Sequence, residues 1–196
     1  MHSDIILQTR GLTKEFRGFV AVNDVNLSVR RGAIHALIGP NGAGKTTVFN
    51  LLTKFHIPTR GEIVYDGVDI TGERPAQTAR RGIVRSFQIS AVFPQLSVRE
   101  NVRVALQLDQ VGLRAQLDVA AGDLPYGRKR TLEIATTLAL EPELLLLDEP
   151  TQGMGHEDVD RVKHLIKQAS AGRSILMVEH NMKVVADICD TSTVLQ

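Results

Sequence analysis

Apolar residues follow two kinds of pattern along this chain. Between residues 25 and 30 they occupy every second position, which is the pattern of a strand with one buried face. The runs 33–38 and 144–147 are apolar almost throughout, as in strands that are buried on both faces of a parallel sheet. These patterns predict an antiparallel region near the start of the chain and a buried parallel sheet after it.

Other stretches complete an alternation of strands and helices. Further strands are predicted at 61–66, 83–87 and 174–178, and helices at 47–54, 75–81, 128–140, 156–169 and 182–189. Ser97 and Glu100 have the spacing of a capping box and predict one more helix, to about residue 108. Strands that alternate with helices indicate an α/β fold. A length of 196 residues is typical of one domain, 1–196.

The most informative segment, 39–47, reads Gly-Pro-Asn-Gly-Ala-Gly-Lys-Thr-Thr and fits the pattern G-x-x-x-x-G-K-[ST]. It lies between a predicted strand and a predicted helix, the setting that a phosphate-binding loop requires. Glycines let several backbone N–H groups point at one anion, and the helix N-terminus adds partial positive charge. Lys45 would neutralise the outer phosphates of a bound ligand, and the Thr46 hydroxyl would bind Mg²⁺. The alternative is a chance glycine-rich turn. The residues expected to bind nucleotide here are Gly39, Asn41, Gly42, Ala43, Gly44, Lys45, Thr46 and Thr47.

A second cluster follows the apolar run 144–147. Asp148 and Glu149 would lie at the carboxyl edge of the sheet, where open α/β folds bind their ligands. Asp148 is expected to hold Mg²⁺ through water, and Glu149 to orient or deprotonate an attacking water. The alternative for this pair is a solvated turn, which is disfavoured because the chain also contains the phosphate-loop motif at 39–47.

Composition and charge narrow the class of protein further. The chain is 43% hydrophobic and 23% charged with a net charge of +1, so no overall field favours nucleic acid as a partner. A single cysteine, Cys189, excludes an intrachain disulfide framework and suits a reducing cytosol, where it is expected to be inert packing. Asp4 and Gln8 interrupt the first apolar run, so we expect no signal peptide. No run approaches the roughly 18 apolar residues that a membrane span needs, so any membrane link is expected through a partner.

These motifs, in this order, resemble the ATP-binding subunits of ABC transporters over nearly the whole chain. Segment 39–47 is similar to their Walker A loop, and 144–148 to Walker B. Leu-Pro-Tyr-Gly-Arg at 124–128 stands where the family has its Leu-Ser-Gly-Gly-Gln signature. The resemblance implies a P-loop NTPase fold with a RecA-like core, an N-terminal antiparallel β subdomain and a shortened α-helical subdomain at about 89–140.

The same resemblance implies roles for single residues. Glu149 matches the catalytic glutamate, His180 the switch histidine and Gln88 the Q-loop glutamine; with Lys45 they form the expected catalytic set. The expected Mg²⁺ ligands are Thr46, Gln88 and Asp148, and Phe16 is expected to stack on adenine, with Phe19 as its rival. Leu124, Tyr126 and Gly127 would contact ATP held by a second subunit. Taken singly, Gln88 reads as a polar loop residue, His180 as a surface histidine and Phe16 as core.

Three features depart from the family pattern. The signature has Pro125 where the family has serine, and proline has neither a hydroxyl nor an N–H. Arg128 replaces a glutamine, and Gly155 stands where the family usually has aspartate. Gln88 and Leu124 are closer in sequence than is usual, which indicates a missing helical segment or omitted residues, and the C-terminal end is expected to be truncated.

Within the family, the resemblance is strongest to the ATPases of branched-chain amino acid importers. It rests on Arg-Ser-Phe-Gln at 85–88, the Tyr-Gly signature with Leu-Glu-Ile-Ala, and Glu-His-Asn-Met-Lys at 179–183. It implies ATP hydrolysis coupled to transport, with permease subunits and a second ATP-binding subunit as partners and a solute-binding protein as an indirect one. The chain would then lie at the cytoplasmic face of the cell membrane. Urea, amide or lipopolysaccharide transporter ATPases, a soluble non-transport ABC ATPase and a regulator without turnover stay as alternatives.

Overall fold

The computed structural model describes residues 4–86, 97–98, 118–138 and 140–196, and within them the strands form two sheets. The first sheet is antiparallel and comes from the N-terminal part of the chain. It contains β1 (Ile5–Phe16), β2 (Phe19–Val25), β3 (Ser28–Arg30), β5 (Arg60–Tyr65) and β6 (Val68–Asp69). The order is β2-β1-β5-β6, and β3 also pairs with β1. The predicted N-terminal antiparallel region is therefore confirmed.

The second sheet is parallel, in the order β10-β4-β9-β8-β7. Its strands are β4 (Ile34–Ile38), β7 (Ile83–Ser86), β8 (Leu144–Asp148), β9 (Ser174–Val178) and β10 (Thr191–Val194). The described helices are α1 (Lys45–Leu52), α2 (Pro75–Arg80), α3 (Tyr126–Leu138), α4 (His156–Ala169) and α5 (Met182–Ile188). The α/β core predicted from the alternation of strands and helices is confirmed.

The apolar run in β8 faces two hydrophobic clusters, one on each side of the parallel sheet. Leu145 and Leu147 pack with the apolar faces of α3, α4 and α5. Leu144 and Leu146 pack with α1 and the antiparallel sheet. Because successive side chains point to opposite faces of a strand, only a strand covered on both sides needs an unbroken apolar run. This burial places β8 between the two hydrophobic clusters.

Some boundaries differ from the predicted ones. The first helix begins at Lys45, directly behind the loop, and α3 begins at Tyr126 rather than at residue 128. Lys129 N donates to the Pro125 carbonyl (3.0 Å), so proline precedes the helix at a position where its missing N–H is not needed. Ser97 forms an isolated bridge with Ala120, and the rest of the helix predicted there lies outside the described residues.

Strand β10 was not predicted, because Thr-Ser-Thr-Val is short and largely polar. It forms a parallel pair with β4, in which Thr191 lies beside His35. The His35 ring contacts the hydroxyls of Thr191 and Thr193, at 2.8 and 2.9 Å. Hydrogen bonds between the buried His35 side chain and two threonines thus stabilise β10, a strand that the sequence pattern of 191–194 does not predict.

Candidate active site

The glycine-rich loop connects β4 to α1 at the carboxyl edge of the parallel sheet. Gly44 has a φ of 86°, and a Cβ atom added to it would lie 2.4 Å from the Ala21 carbonyl oxygen on β2. Gly42 has a similar φ of 85° but faces open space. Glycine is therefore required at residue 44 both by the backbone conformation and by the close approach of β2.

Lys45 occupies the first turn of α1 and is nearly buried, with 6% of its surface exposed. Its ammonium group donates hydrogen bonds to the carbonyls of Gly39 and Pro40, both at 2.8 Å. No side chain caps this end of α1, so its first N–H groups face the loop. The loop therefore presents a cation and helix N–H donors together, which is the donor set that phosphate oxygens require.

A cavity of about 340 Å³ opens next to this loop. Its lining joins the loop to residues of β2 and of the ends of β8 and β9: Phe19, Ala21, Asn41, Gly42, Gly44, Lys45, Thr46, Thr47, Glu149 and His180. The structure thus brings together residues that are more than 100 positions apart in sequence and that the motif analysis had grouped as one site.

Phe16 and Phe19 face each other across the hairpin between β1 and β2. The two turn residues, Arg17 and Gly18, have positive φ values of 47° and 88°, which suits a tight two-residue hairpin. Phe19 lines the cavity and is 69% exposed, whereas the Phe16 ring packs edge-on against His56 at 5.2 Å between ring centroids. Phe19, the rival in the sequence analysis, is therefore the aromatic residue that lines this cavity, and the stacking of Phe16 on adenine stays a prediction.

Asp148 ends β8 and is completely buried. Its Oδ2 atom accepts a hydrogen bond of 2.5 Å from Arg85 on β7, and Arg85 also donates to Asn50 on α1 at 2.6 Å. Its Oδ1 atom is buried and has no hydrogen-bond partner within the described part of the chain. A buried carboxylate oxygen without a partner is costly, and hard divalent cations prefer such oxygens. The unpartnered Oδ1 atom of Asp148 is therefore the kind of oxygen that a Mg²⁺ ion would take. Thr46, the other described residue expected to bind the ion, lines the cavity.

Glu149 follows Asp148 and adopts an unusual backbone conformation, with a φ of 46°. Its N–H donates to the Val178 carbonyl at 2.9 Å, which ties it to the end of β9. Its Oε1 atom lies 3.2 Å from Nε2 of His180. A non-glycine residue with positive φ costs about 1 kcal/mol or more, and such strain is often found at functional sites. Glu149 therefore reaches the cavity through a backbone that the neighbouring strand holds in place.

The signature segment lies apart from this cavity. Leu124 is buried, Tyr126 is 59% exposed, and neither lines the cavity. A Cβ atom at Gly127 would lie 2.3 Å from a carboxylate oxygen of Asp158, so α3 and α4 leave no space for a side chain there. Gln88, the expected Q-loop glutamine, lies outside the described residues.

Sequence reasoning missed several charged residues that support the site. Arg85 was read only as part of a motif, although a single arginine in a buried strand is an unusual signal. Arg130 of α3 donates to the Asp148 carbonyl and to Glu133, the latter at 2.8 Å. Glu179, between a buried strand and His180, was read only as a neighbour of the histidine. Buried charges of this kind need partners, and that requirement was the available signal.

Cys189 behaves as the sequence analysis expected. It packs against the cluster that covers one face of the parallel sheet, with its sulfur 3.6 Å from that of Met177. Burial raises the pKa of its thiol to about 11, which disfavours the reactive thiolate.

A phosphate loop after one parallel strand and paired acidic residues after a nearby one, at the same edge of the sheet, are the arrangement of a P-loop nucleoside triphosphatase. Comparison with known proteins identifies the family, within this class, to which the chain belongs. Residues 22–152 match the ABC transporter family. The chain belongs to this family, as an ATP-binding and ATP-hydrolysing cassette.

Two similar relatives are the high-affinity branched-chain amino acid transport ATP-binding proteins BraF of Pseudomonas aeruginosa and LivG of Escherichia coli K12. BraF is 37% identical, over 97% of this chain and 88% of its own length. LivG is 36% identical, over 96% of this chain and 87% of its own length. Among solved structures, the ADP conformation of MJ1267, an ATP-binding cassette of an ABC transporter, matches with a TM-score of 0.91 and 27% identity, over 98% of this chain and 88% of that chain.

The alignment with BraF spans 223 positions, more than the 196 residues of this chain. BraF therefore has residues within the aligned region that have no counterpart here. That the shortfall lies before residue 111, in the helical subdomain, stays a prediction. Among the described residues, no helix is both long enough and apolar enough to cross a bilayer.

Proposed function

We propose that this protein is the ATP-hydrolysing subunit of an importer for branched-chain amino acids. The observation that carries hydrolysis is the contact of 3.2 Å between Glu149 and His180 at the edge of the phosphate-loop cavity. The solute is proposed from the names of BraF and LivG, because no residue of the cavity would contact a transported amino acid. An ABC subunit of this kind works at the cytoplasmic face of the membrane, attached to permease subunits.

ATP binds first to the phosphate loop. Lys45 turns from the carbonyls of Gly39 and Pro40 to the β- and γ-phosphates, because a charge-assisted hydrogen bond is stronger than one to a neutral carbonyl. The N–H groups at the start of α1 hold the remaining phosphate oxygens. Phe19, or Phe16 after a rearrangement of the hairpin, stacks on the adenine ring.

Thr46 and Asp148 would hold a Mg²⁺ ion, with Gln88 as a further expected ligand. When bound, such an ion would supply positive charge against the ATP phosphates. Arg85 keeps one oxygen of Asp148 engaged, so the buried unpartnered oxygen, Oδ1, is the one that would be left for the ion. This division of the carboxylate lets Asp148 stay buried as an anion before the nucleotide arrives.

Glu149 then acts on the attacking water. Its carboxylate accepts the proton as the water approaches the γ-phosphate, while Lys45 stabilises the charge on the transferred group. His180 holds the carboxylate oxygen Oε1 through Nε2, which must carry a hydrogen for this contact. The positive φ of Glu149 is the backbone strain that this placement requires.

A second ATP-binding subunit completes the site. The signature residues Leu124, Tyr126 and Gly127 lie away from the cavity of their own chain, which suits a role opposite ATP held by a partner. Pro125 lacks the serine hydroxyl, and loss of one neutral hydrogen bond costs only about 1 kcal/mol, so this signature can still close a site. The departures at Pro125, Arg128 and Gly155 favour a partner with its own, different signature over a second copy of this chain.

The test is solute uptake in a strain that lacks this chain. Uptake of radiolabelled leucine, isoleucine and valine is expected to fall, and to return with the native chain but not with Lys45→Ala or Glu149→Gln. Urea uptake serves as the comparison. Unchanged uptake of the branched-chain amino acids together with reduced urea uptake would contradict the proposed solute and leave the ATPase assignment intact.

A further inference from the structure

The carboxylate of Glu179 lies behind the catalytic pair, with 2% of the residue exposed. Its Oε1 atom accepts hydrogen bonds from the Thr151 hydroxyl and from the Thr151 N–H, the latter at 3.2 Å. Its Oε2 atom accepts from the N–H groups of His180 at 2.7 Å and Asn181 at 3.1 Å. A carboxylate has about four acceptor positions, so these four donors use its full capacity.

The four donors come from two separate loops. Thr151 belongs to the loop after β8, two residues beyond Glu149, and His180 and Asn181 belong to the loop after β9. Glu179 therefore connects the segment that carries Glu149 to the segment that carries His180. Asn181 in turn caps α5 by accepting from the N–H groups of Lys183 and Val184, which fixes the second loop to a helix.

The hydrogen bonds of Glu179 bear on the distance between Glu149 and His180, on which the proposed hydrolysis depends. Glu149 and His180 meet at 3.2 Å, and their backbones leave the sheet from the paired residues Asp148 and Val178. Parallel pairing sets where the two strands end, but the loops beyond them could still turn apart. A buried anion that accepts from both loops removes this freedom, because each loop would have to leave a charged acceptor unsatisfied.

We propose that Glu179 is a positioning residue that sets the contact between Glu149 and His180. The proposal rests on the hydrolytic role proposed above. Glu179 does not itself line the cavity; its effect passes through its hydrogen bonds to His180, which does line it, and to Thr151. A glutamine of the same shape has one acceptor oxygen and one NH₂ group, and the NH₂ group would face either the donors of Thr151 or those of the second loop.

The test is a double-mutant cycle on the ATPase rate of the full chain with its permease, or of the chain alone at concentrations where the rate per chain has stopped rising. We expect Glu179→Gln to lower kcat by about tenfold or more while the KM for ATP changes less than about twofold. In the background of His180→Ala, the same substitution is expected to change kcat by less than about twofold, because the contact that it positions is already gone.

Matched variants keep the result interpretable. Thr151→Val removes one of the four donors and is expected to lower kcat in the same direction, by less than Glu179→Gln. Thr137→Val removes another buried threonine hydroxyl, which donates to Glu133, and Glu73→Gln removes a carboxylate that pairs with Arg81. Both are expected to keep the native kcat. Urea unfolding checks that each variant is folded, and Thr151→Val serves if Glu179→Gln is not.

Two results would overturn the proposal. One is a double variant whose loss of kcat equals the product of the losses in Glu179→Gln and His180→Ala, since the two residues would then act independently. The other is a loss that appears in KM rather than in kcat. The proposed hydrolytic role fails separately, if Glu149→Gln hydrolyses ATP at the native rate.

Discussion

The phosphate loop and the ends of β8 and β9 contribute to one cavity but are built in different ways. We call the second region the catalytic edge; it carries Asp148, Glu149, Glu179 and His180. The loop is nine consecutive residues, and its shape depends on glycine conformation and on the contact of Gly44 with β2. The contacts of the catalytic edge join residues 28, 31 and 63 positions apart.

The phosphate loop is therefore formed mainly by backbone groups, whereas the catalytic edge is formed by side chains. In the loop, N–H groups and one lysine suffice, so a local motif specifies most of the chemistry. At the catalytic edge, the buried Arg85 pairs with Asp148, and the buried Glu179 accepts hydrogen bonds from the loops after β8 and β9. The register that places Asp148 beside Val178 decides which side chains meet. We therefore expect substitutions in the loop to lower stability and ATP binding through backbone strain. Substitutions at the catalytic edge should lower stability or activity because they leave a charged group without its partner.

Glu149→Gln is expected to have the largest effect. The amide keeps the shape of the side chain but cannot take a proton, so kcat should fall by about 10²- to 10⁴-fold. ATP affinity should stay within about twofold, because the loop is unchanged. Steady-state ATPase assays and binding of a fluorescent ATP analogue measure the two quantities. A native hydrolysis rate would show that another group acts as the base.

Arg85→Met tests the buried charge of the catalytic edge. It removes the partner of Asp148 Oδ2, and breaking a buried ion pair costs about 3 kcal/mol in the free energy of unfolding. Arg161→Met, in the exposed pair with Glu157, should cost less than about 1 kcal/mol. Urea denaturation without Mg²⁺ measures both.

A second variant separates charge from packing at this position. In the background of Asp148→Asn, Arg85→Met should cost clearly less, because the asparagine carries no charge that needs a partner. An equal cost in both backgrounds would mean that Arg85 acts through packing, including its position 5.4 Å from the centre of the Phe49 ring.

Gly44→Ala and Gly42→Ala sharpen the account of the loop. Both residues have positive φ, so each alanine should cost about 1 kcal/mol of backbone strain. Only at Gly44 does the new Cβ also meet a neighbouring backbone, at 2.4 Å from the Ala21 oxygen. Gly44→Ala should therefore lower both the free energy of unfolding and the ATP affinity more than Gly42→Ala. Equal losses of stability would mean that strand β2 yields to the added atom.

His35 gives the smallest expected effect, through pH. Burial lowers the pKa of its imidazole below the ordinary 6.5, so the unfolded chain takes up the proton first as the pH falls. The free energy of unfolding is then undiminished above pH 6.5 and decreases as the pH drops from 6.5 toward the lowered value. Urea midpoints at pH 7.5 and 5.5 should differ more for the native chain than for His35→Gln. The exposed His164, changed to glutamine, should leave this pH dependence as in the native chain.

Elements with strong local signals were predicted well. The four leucines of β8 predicted that strand correctly, because burial on both faces leaves an unbroken apolar run. The helix predicted at 156–169 is α4. Strand β10 was missed because its pairing depends on His35, far away in sequence. Phe16 was favoured over Phe19 by resemblance, and only the hairpin geometry shows which ring borders the cavity.

The phosphate loop, the buried strand before it and the acidic pair after β8 were all predictable from the sequence, because each depends on residues that are neighbours in the chain. The contact of Glu149 with His180, the pairing of Arg85 with Asp148 and the link that Glu179 makes between the two loops appear only in the folded chain. These three contacts depend on the parallel sheet. Its register brings strand ends from distant segments to one edge, and buried charges there are stable only beside the partners that this register supplies.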